Sequence, residues 1–185
     1  MNRRVIWIII AAVVIGAVLA WLLVGGGRRV VAPSSGALEA PPTPTPAPEQ
    51  RVVLLFLGAD GLLHPELRTV PLPSEIDQRI RVVVTEMLAG PTGDLQPVVP
   101  WAAQLNAVFV DLYGTAFIDL TPPPDPLTGS HTELVLAYGL VDSILLNCPE
   151  LGAVQILFSG QEVPTLTGHL DLSRPLVLNK RFIGS

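Results

Sequence analysis

The chain has 185 residues, enough for one domain of ordinary size plus accessory segments. Residues 51–185 carry seven Lys/Arg against fourteen Asp/Glu, a formal balance of −7, which argues against nucleic acid and against docking on an anionic lipid surface. The single cysteine, Cys148, excludes an intrachain disulfide, a cysteine metal cluster and a redox pair.

The hydrophobic fraction of 49% and the mean hydropathy of +0.52 are high for a soluble protein, and much of the excess sits in one segment. After a four-residue tail (1–4), Val5–Val24 runs without a charge, and at about 1.5 Å per residue it matches the roughly 30 Å of a bilayer core. Trp7 and Trp21 stand near its ends, where indoles favour the interface. A cleaved signal peptide has a shorter apolar core of about 7–15 residues, so the length favours a retained transmembrane helix. No cysteine lies near it, which removes a lipid-modified N-terminus. Arg3 and Arg4 precede the segment and Arg28 and Arg29 follow it, so the positive-inside rule gives only a slight preference for a cytoplasmic N-terminus.

Residues 25–50 read as a Gly/Pro-rich linker. Val31–Gln50 holds six prolines and few apolar side chains, and Pro42–Pro48 alternates in a way that favours extended polyproline II. Such a spacer holds a domain off the bilayer, which suits a cell-wall-facing, extracytoplasmic position.

The folded region is then 51–185. Val52–Leu57 reads as a buried strand turned by Ala59-Asp60-Gly61, and Arg68–Leu72 as its partner. Ser74-x-x-Asp77 resembles a capping box opening a helix whose buried face is Ile76, Ile80, Val83, Val84, Met87 and Leu88, stopped by Gly90-Pro91. Ala107–Leu112 and Thr115–Leu120 alternate with period two around Tyr113-Gly114, the pattern of a hairpin with Val108, Val110 and Leu112 facing the core. Ser130-x-x-Glu133 reads as a full capping box for a second helix, with Leu134, Ala137, Tyr138, Val141, Ile144 and Leu145 on its buried face. Val154–Phe158 is a further strand turned by Ser159-Gly160-Gln161, and the mixed tail 162–183 has room for one more. Two amphipathic helices need a surface to bury their stripes, so the fold class expected is α+β, a two-layer domain of two helices on one small mixed or antiparallel sheet.

Several of these segments, in this order and spacing, carry a resemblance. They are VVLLFL with its Asp60-Gly61 turn, Met87-Leu88-Ala89-Gly90-Pro91, Ala116-Phe117-Ile118-Asp119-Leu120, Val154-Gln155-Ile156-Leu157-Phe158-Ser159-Gly160, and Leu170-Asp171-Leu172-Ser173. From about Arg51 to Leu178 the chain resembles a GerMN domain, the module of sporulation and spore-germination proteins and of various envelope proteins. The resemblance implies a compact α+β fold similar to ring-building motifs, an extracytoplasmic and membrane-anchored location, and no established catalytic site. Many relatives are lipoproteins, and the sporulation protein that names the family carries two tandem copies, whereas this chain has no acylatable cysteine near its start and shows one copy.

Chemistry is sparse. His64, His131 and His169 form no metal-ligand spacing and read as exposed turn or first-turn residues. Asp111 and Asp119 fall opposite the apolar set of the hairpin, where a solvated strand residue belongs. Ser159-Gly160 lacks the flanking glycine of a nucleophile elbow, and Cys148 reads as a buried thiol. No catalytic, cofactor-binding or metal-binding residue is assigned and no cofactor is expected. The reading is a non-catalytic envelope protein acting by protein contact or self-association, with a peptidoglycan-binding accessory or envelope hydrolase as the alternative.

Overall fold

The computed structural model describes residues 47–184. The segment read as a membrane helix, Val5–Val24, and the linker up to Pro46 lie outside the described residues. Among the described residues, no helix is long and apolar enough to cross a membrane.

The chain runs through β1 (Glu49–Leu57), β2 (Leu63–Pro71), α1 (Ile76–Leu88), β3 (Leu105–Val110), β4 (Thr115–Leu120), α2 (Ser130–Asn147), β5 (Ala153–Phe158) and a 3-10 turn (Lys180–Phe182). β1 therefore begins inside the stretch read as linker, and the Pro48 carbonyl already accepts Leu72 N–H at 3.0 Å. β1 and β2 form an antiparallel pair, registered from Glu49 opposite Pro71 to Leu57 opposite Leu63. β3, β4 and β5 form a second sheet in that order, antiparallel between β3 and β4 and parallel between β4 and β5, with α2 as the crossover.

β2 starts at Leu63, well before the Arg68 expected from sequence, even though Pro65 lies within it. The register explains why a proline is tolerated. Val53, Leu55 and Leu57 direct their N–H groups away from β2, to Asn147, Ser143 and Gln96. Their antiparallel partners Leu67, Pro65 and Leu63 therefore face away from β1 as well. Pro65, and Pro71 by the same alternation, turn their donor-less nitrogens to the free edge, where no ladder bond is lost.

α1 buries Ile80, Val83, Val84 and Met87 as its periodicity required. Its predicted capping box does not form. Glu75 is the N-cap without a side-chain bond, Asp77 accepts from Gln78 Nε2, and the Ser74 carbonyl accepts from Arg79 Nη2 at 2.9 Å. The other end is tied by Arg68 of β2. Its guanidinium donates to the carbonyls of Glu86 and Gly90 and to the carboxylates of Glu66 and Glu86, and lies 5.4 Å from the Phe56 ring centroid. A cation placed on the orphan carbonyls of a helix C-terminus is favourable there.

α2 is the centre of the fold. It packs against β1, β5 and α1, and every residue from Gly139 to Leu145 is buried. A helix enclosed on this many sides has no single apolar stripe, so the face read from sequence was too narrow: Val135, Leu136 and Leu140 are buried, while Leu134 and Tyr138 are only partly so. The expectation of one sheet under two helices is corrected in the same way. Among the described residues there are two sheets, and both helices, α1 and α2, contact both of them.

The tail 162–183 forms no named strand, but it ties elements together. Leu176 and Val154 exchange two backbone bonds of 2.8 Å, Asn179 N–H reaches Asp142, and Phe182 stacks on Tyr138 with centroids 5.1 Å apart. Gly184 N–H then donates to the Leu63 carbonyl at 2.8 Å, so one strap touches β5, α2 and β2 in turn.

Candidate functional site

The carboxylates considered for chemistry from sequence are each occupied by turn hydrogen bonds. Asp111 Oδ1 accepts from the N–H groups of Tyr113 (2.9 Å) and Thr115 (2.8 Å), so this carboxylate builds the tip of the β3–β4 hairpin. Asp119 Oδ1 accepts from Gly160 N–H at 2.7 Å and its Oδ2 from Asn106 Nδ2 at 3.2 Å, bracing the turn after β5. That turn places Ser159 at φ 51° and Gly160 at φ 74°, two successive left-handed residues, as in the tight hairpin turn of type I′. Ser159 is thus a turn residue. Cys148 is fully buried, and burial pushes its thiol up to about 11.

Two histidines meet one turn. His64 Nε2 lies 3.0 Å from the Asp60 carboxylate, and His131 Nε2 lies 2.8 Å from the Gly61 carbonyl, so both hold the β1–β2 turn. His131 also borders a small cavity of about 180 Å³ with Leu57, Pro97, Val98 and Val135, which is below the usual size of a small-molecule site. His169 belongs to a different loop, beside Thr167. Among the described residues, no group of three or more His, Cys, Asp or Glu is arranged to hold a metal ion.

The sequence reading missed the two carboxylates that are most unusual. Glu133 does not close a capping box: Gly129 at φ 92° is the N-cap, and no side chain caps the helix. Instead Glu133 is fully buried and anchors the loop 165–170. Its carboxylate accepts from the backbone N–H groups of Leu166, Thr167, His169 and Leu170 and from the hydroxyls of Thr165 and Thr167. Burial alone would raise its pKa, but these hydrogen bonds outweigh burial and hold it at about 2. Asp142 is the opposite case. It is also fully buried, but among the described residues Oδ1 has a single donor, Asn179 N–H at 3.0 Å, and Oδ2 has none, so burial raises its pKa to about 6. The only sequence signal for Asp142 was a carboxylate inside an apolar helical run.

The strand edges differ in how they are covered. β1 has β2 on one side, and on the other Asn147 both accepts from Val53 N–H (2.9 Å) and donates to its carbonyl (2.7 Å). Ser143 Oγ accepts from Leu55 N–H, and Leu57 exchanges two backbone bonds with Gln96. β2 turns prolines outward. β3 has neither device. Asp111 N–H bonds the Thr115 carbonyl, so Phe109 faces β4 in the ladder while the backbone groups of Val108 and Val110 point outward. They take no partner among the described residues. Nearby, Phe109 is 55% exposed and stacks on Phe117 at 4.9 Å, and Leu112 at the tip is fully exposed, contrary to the core position expected for it. The strand ends at Val110, and Leu112 falls in the Asp111 turn, where alternation no longer applies.

Residues 53–164, more than half of the chain, match the family described as Germane, sporulation and spore germination. The chain belongs to this family. Solved structures agree on the GerMN fold. A putative lipoprotein from Clostridium perfringens superposes with a TM-score of 0.51 at 20% identity, over 70% of this chain and 87% of that one. The tandem GerMN domains of the sporulation protein GerM from Bacillus subtilis give a TM-score of 0.52 at 17% identity, over 70% of this chain and 46% of that one, so the chain spans about half the length of the tandem protein. No curated protein matches the sequence. The α+β GerMN architecture expected from the ordered segments is therefore present, and the family is not one of known enzymes.

Proposed function

We propose that this GerMN chain is a single-pass membrane protein whose domain lies outside the cytoplasm and works by protein contact in the cell envelope, without catalysis. The observation that carries the non-catalytic part is the occupation of Asp111 and Asp119. Both are committed to backbone N–H groups of turns. The uncharged run Val5–Val24 supports the anchor, and the proline-rich segment after it supports an extracytoplasmic domain. The Clostridium perfringens protein of the same fold is named as a putative lipoprotein, which is compatible with an envelope location.

The test uses the full chain in its own cells. Carbonate-resistant membrane fractionation reads the anchor, and protease added to intact spheroplasts reads the side on which the domain lies. Purified chain incubated with isolated cell wall should release no soluble muropeptides. Muropeptide release that disappears in Asp111→Asn or Asp119→Asn would replace this reading with that of an envelope hydrolase.

A further inference from the structure

We infer that β3 is the edge through which two copies of this chain pair, antiparallel about Val108, extending the β3–β4–β5 sheet across a two-fold axis. The strength of the pairing rests on the membrane tether proposed above, while its geometry rests on the strand alone.

Open strand edges are templates for further pairing, and proteins guard them with prolines, charges or covering elements. Here β1 is covered by Asn147, Ser143 and Gln96, and β2 turns Pro65 and Pro71 outward. Among the described residues, nothing covers the outward backbone groups of Val108 and Val110 on β3, and Leu105–Val110 holds no proline and no charge. An edge left open in a domain that guards β1 and β2 in these ways, and bridges β5 at Val154 with Leu176, is placed for strand addition.

The charge pattern selects the occupant. The folded region carries a formal −7, so most approaches of one copy to another bring carboxylates together. Leu95–Val110 holds no charged side chain, so the carboxylates nearest β3, Asp111 and Asp119, stand beside the edge rather than on it, and two copies meet there with less repulsion than elsewhere. The shape is self-complementary as well. With Val108 opposite its own copy, the two residues exchange a pair of N–H···O=C bonds, and Phe109 lies opposite Ala107 of the second copy. Both are exposed on the outer face, so a large ring covers a small methyl from each side of the axis. A six-residue edge buries less than the roughly 800 Å² per partner of a standard interface, so pairing is weak in free solution. Tethering to one membrane raises the effective concentration and compensates.

Disulfide trapping with the full chain in phosphatidylcholine vesicles tests this. In the proposed register, position 107 of one copy faces position 109 of the other at a Cα separation of about 4.5 Å, within disulfide reach. Identical positions lie about 8 Å apart by strand rise and spacing, which is too far. Mixing Ala107→Cys with Phe109→Cys chains under copper-phenanthroline should give about tenfold more dimer than either variant alone or than the exposed Glu162→Cys control. Native Cys148 is buried and stays silent. Adding Val110→Pro to both chains should return the yield to control level, since that N–H faces away from β4. Ala107→Lys, carried on the Phe109→Cys chain alone, gives the same loss at an exposed position should the proline disturb folding. Equal dimer yields in the mixture and the single variants would overturn the inference. Vesicle flotation is read in parallel: chain that fails to float overturns the tether, and the trapping pattern at high concentration in solution still decides the edge.

Discussion

Thr167 meets the buried carboxylate of Glu133 twice, through its backbone N–H at 3.1 Å and its hydroxyl at 2.8 Å. With Thr165, Leu166, His169 and Leu170 completing the shell, one side chain of α2 replaces the secondary structure that the loop 165–170 lacks. Buried donors left without an acceptor are costly. Glu133→Gln keeps one acceptor oxygen but sets an amide NH₂ against N–H donors, and we expect a loss of about 2–4 kcal/mol in urea unfolding.

The same carboxylate sets an acid limit. Its pKa is depressed from 4.5 to about 2, so its stabilisation is present above pH 4.5 and is lost as pH falls toward 2. The shift corresponds to about 3 kcal/mol, and thermal unfolding between pH 2 and 4.5 should lose most of its slope in Glu133→Gln.

Asp142 acts in the opposite sense. Its pKa is raised from 3.8 to about 6, so the folded state holds the proton more tightly than the unfolded chain does. Its contribution is present below pH 3.8 and is lost as pH rises through 6, again about 3 kcal/mol in scale. Combined with Glu133, the melting temperature should peak near pH 4–5. Asp142→Asn should flatten the decline between pH 4 and 6, and an unchanged decline would show that the buried carboxyl is not its source.

Asn147 stands in for a neighbouring strand at the edge of β1. Asn147→Ala strands the N–H and C=O of Val53, and we expect a cost of about 1–3 kcal/mol. The denaturation slope should be unchanged, because the same surface is exposed on unfolding. Asn147→Asp, which keeps the acceptor but not the donor, should recover only part of the loss.

Gly139 lies where α2 passes the segment before β3. A Cβ there would come within 2.7 Å of Val98 Cγ1, so Gly139→Ala should destabilise by about 1–3 kcal/mol despite the better helix propensity of alanine. Pairing it with Val98→Ala removes the clashing methyls. The double variant should be more stable than the sum of the single changes allows, which a double-mutant cycle measures.

Local patterns in the sequence determined a good deal. The stripe of α1, the alternation of β4, the hairpin about Tyr113-Gly114 and the turn at Ser159-Gly160 depend on periodicity and on residues that tolerate left-handed backbone, and both act over a few residues. The ordered segments that resemble GerMN were legible for the same reason, and the family match covers residues 53–164.

Tertiary structure alone decided what each polar residue is for. Ser130-x-x-Glu133 had the spacing of a cap, yet Glu133 serves a loop more than thirty residues away, because enclosure of α2 left its carboxylate no water to face. Pro65 fits inside β2 only because the register turns its nitrogen outward, and Leu112 lost its core position when Asp111 ended β3 early. Asn147 and Ser143 gave no sign that they would complete the edge of β1 across some ninety residues of chain. Periodicity records which side of an element is apolar, whereas the partner of a buried hydrogen-bonding group depends on which distant elements pack against it.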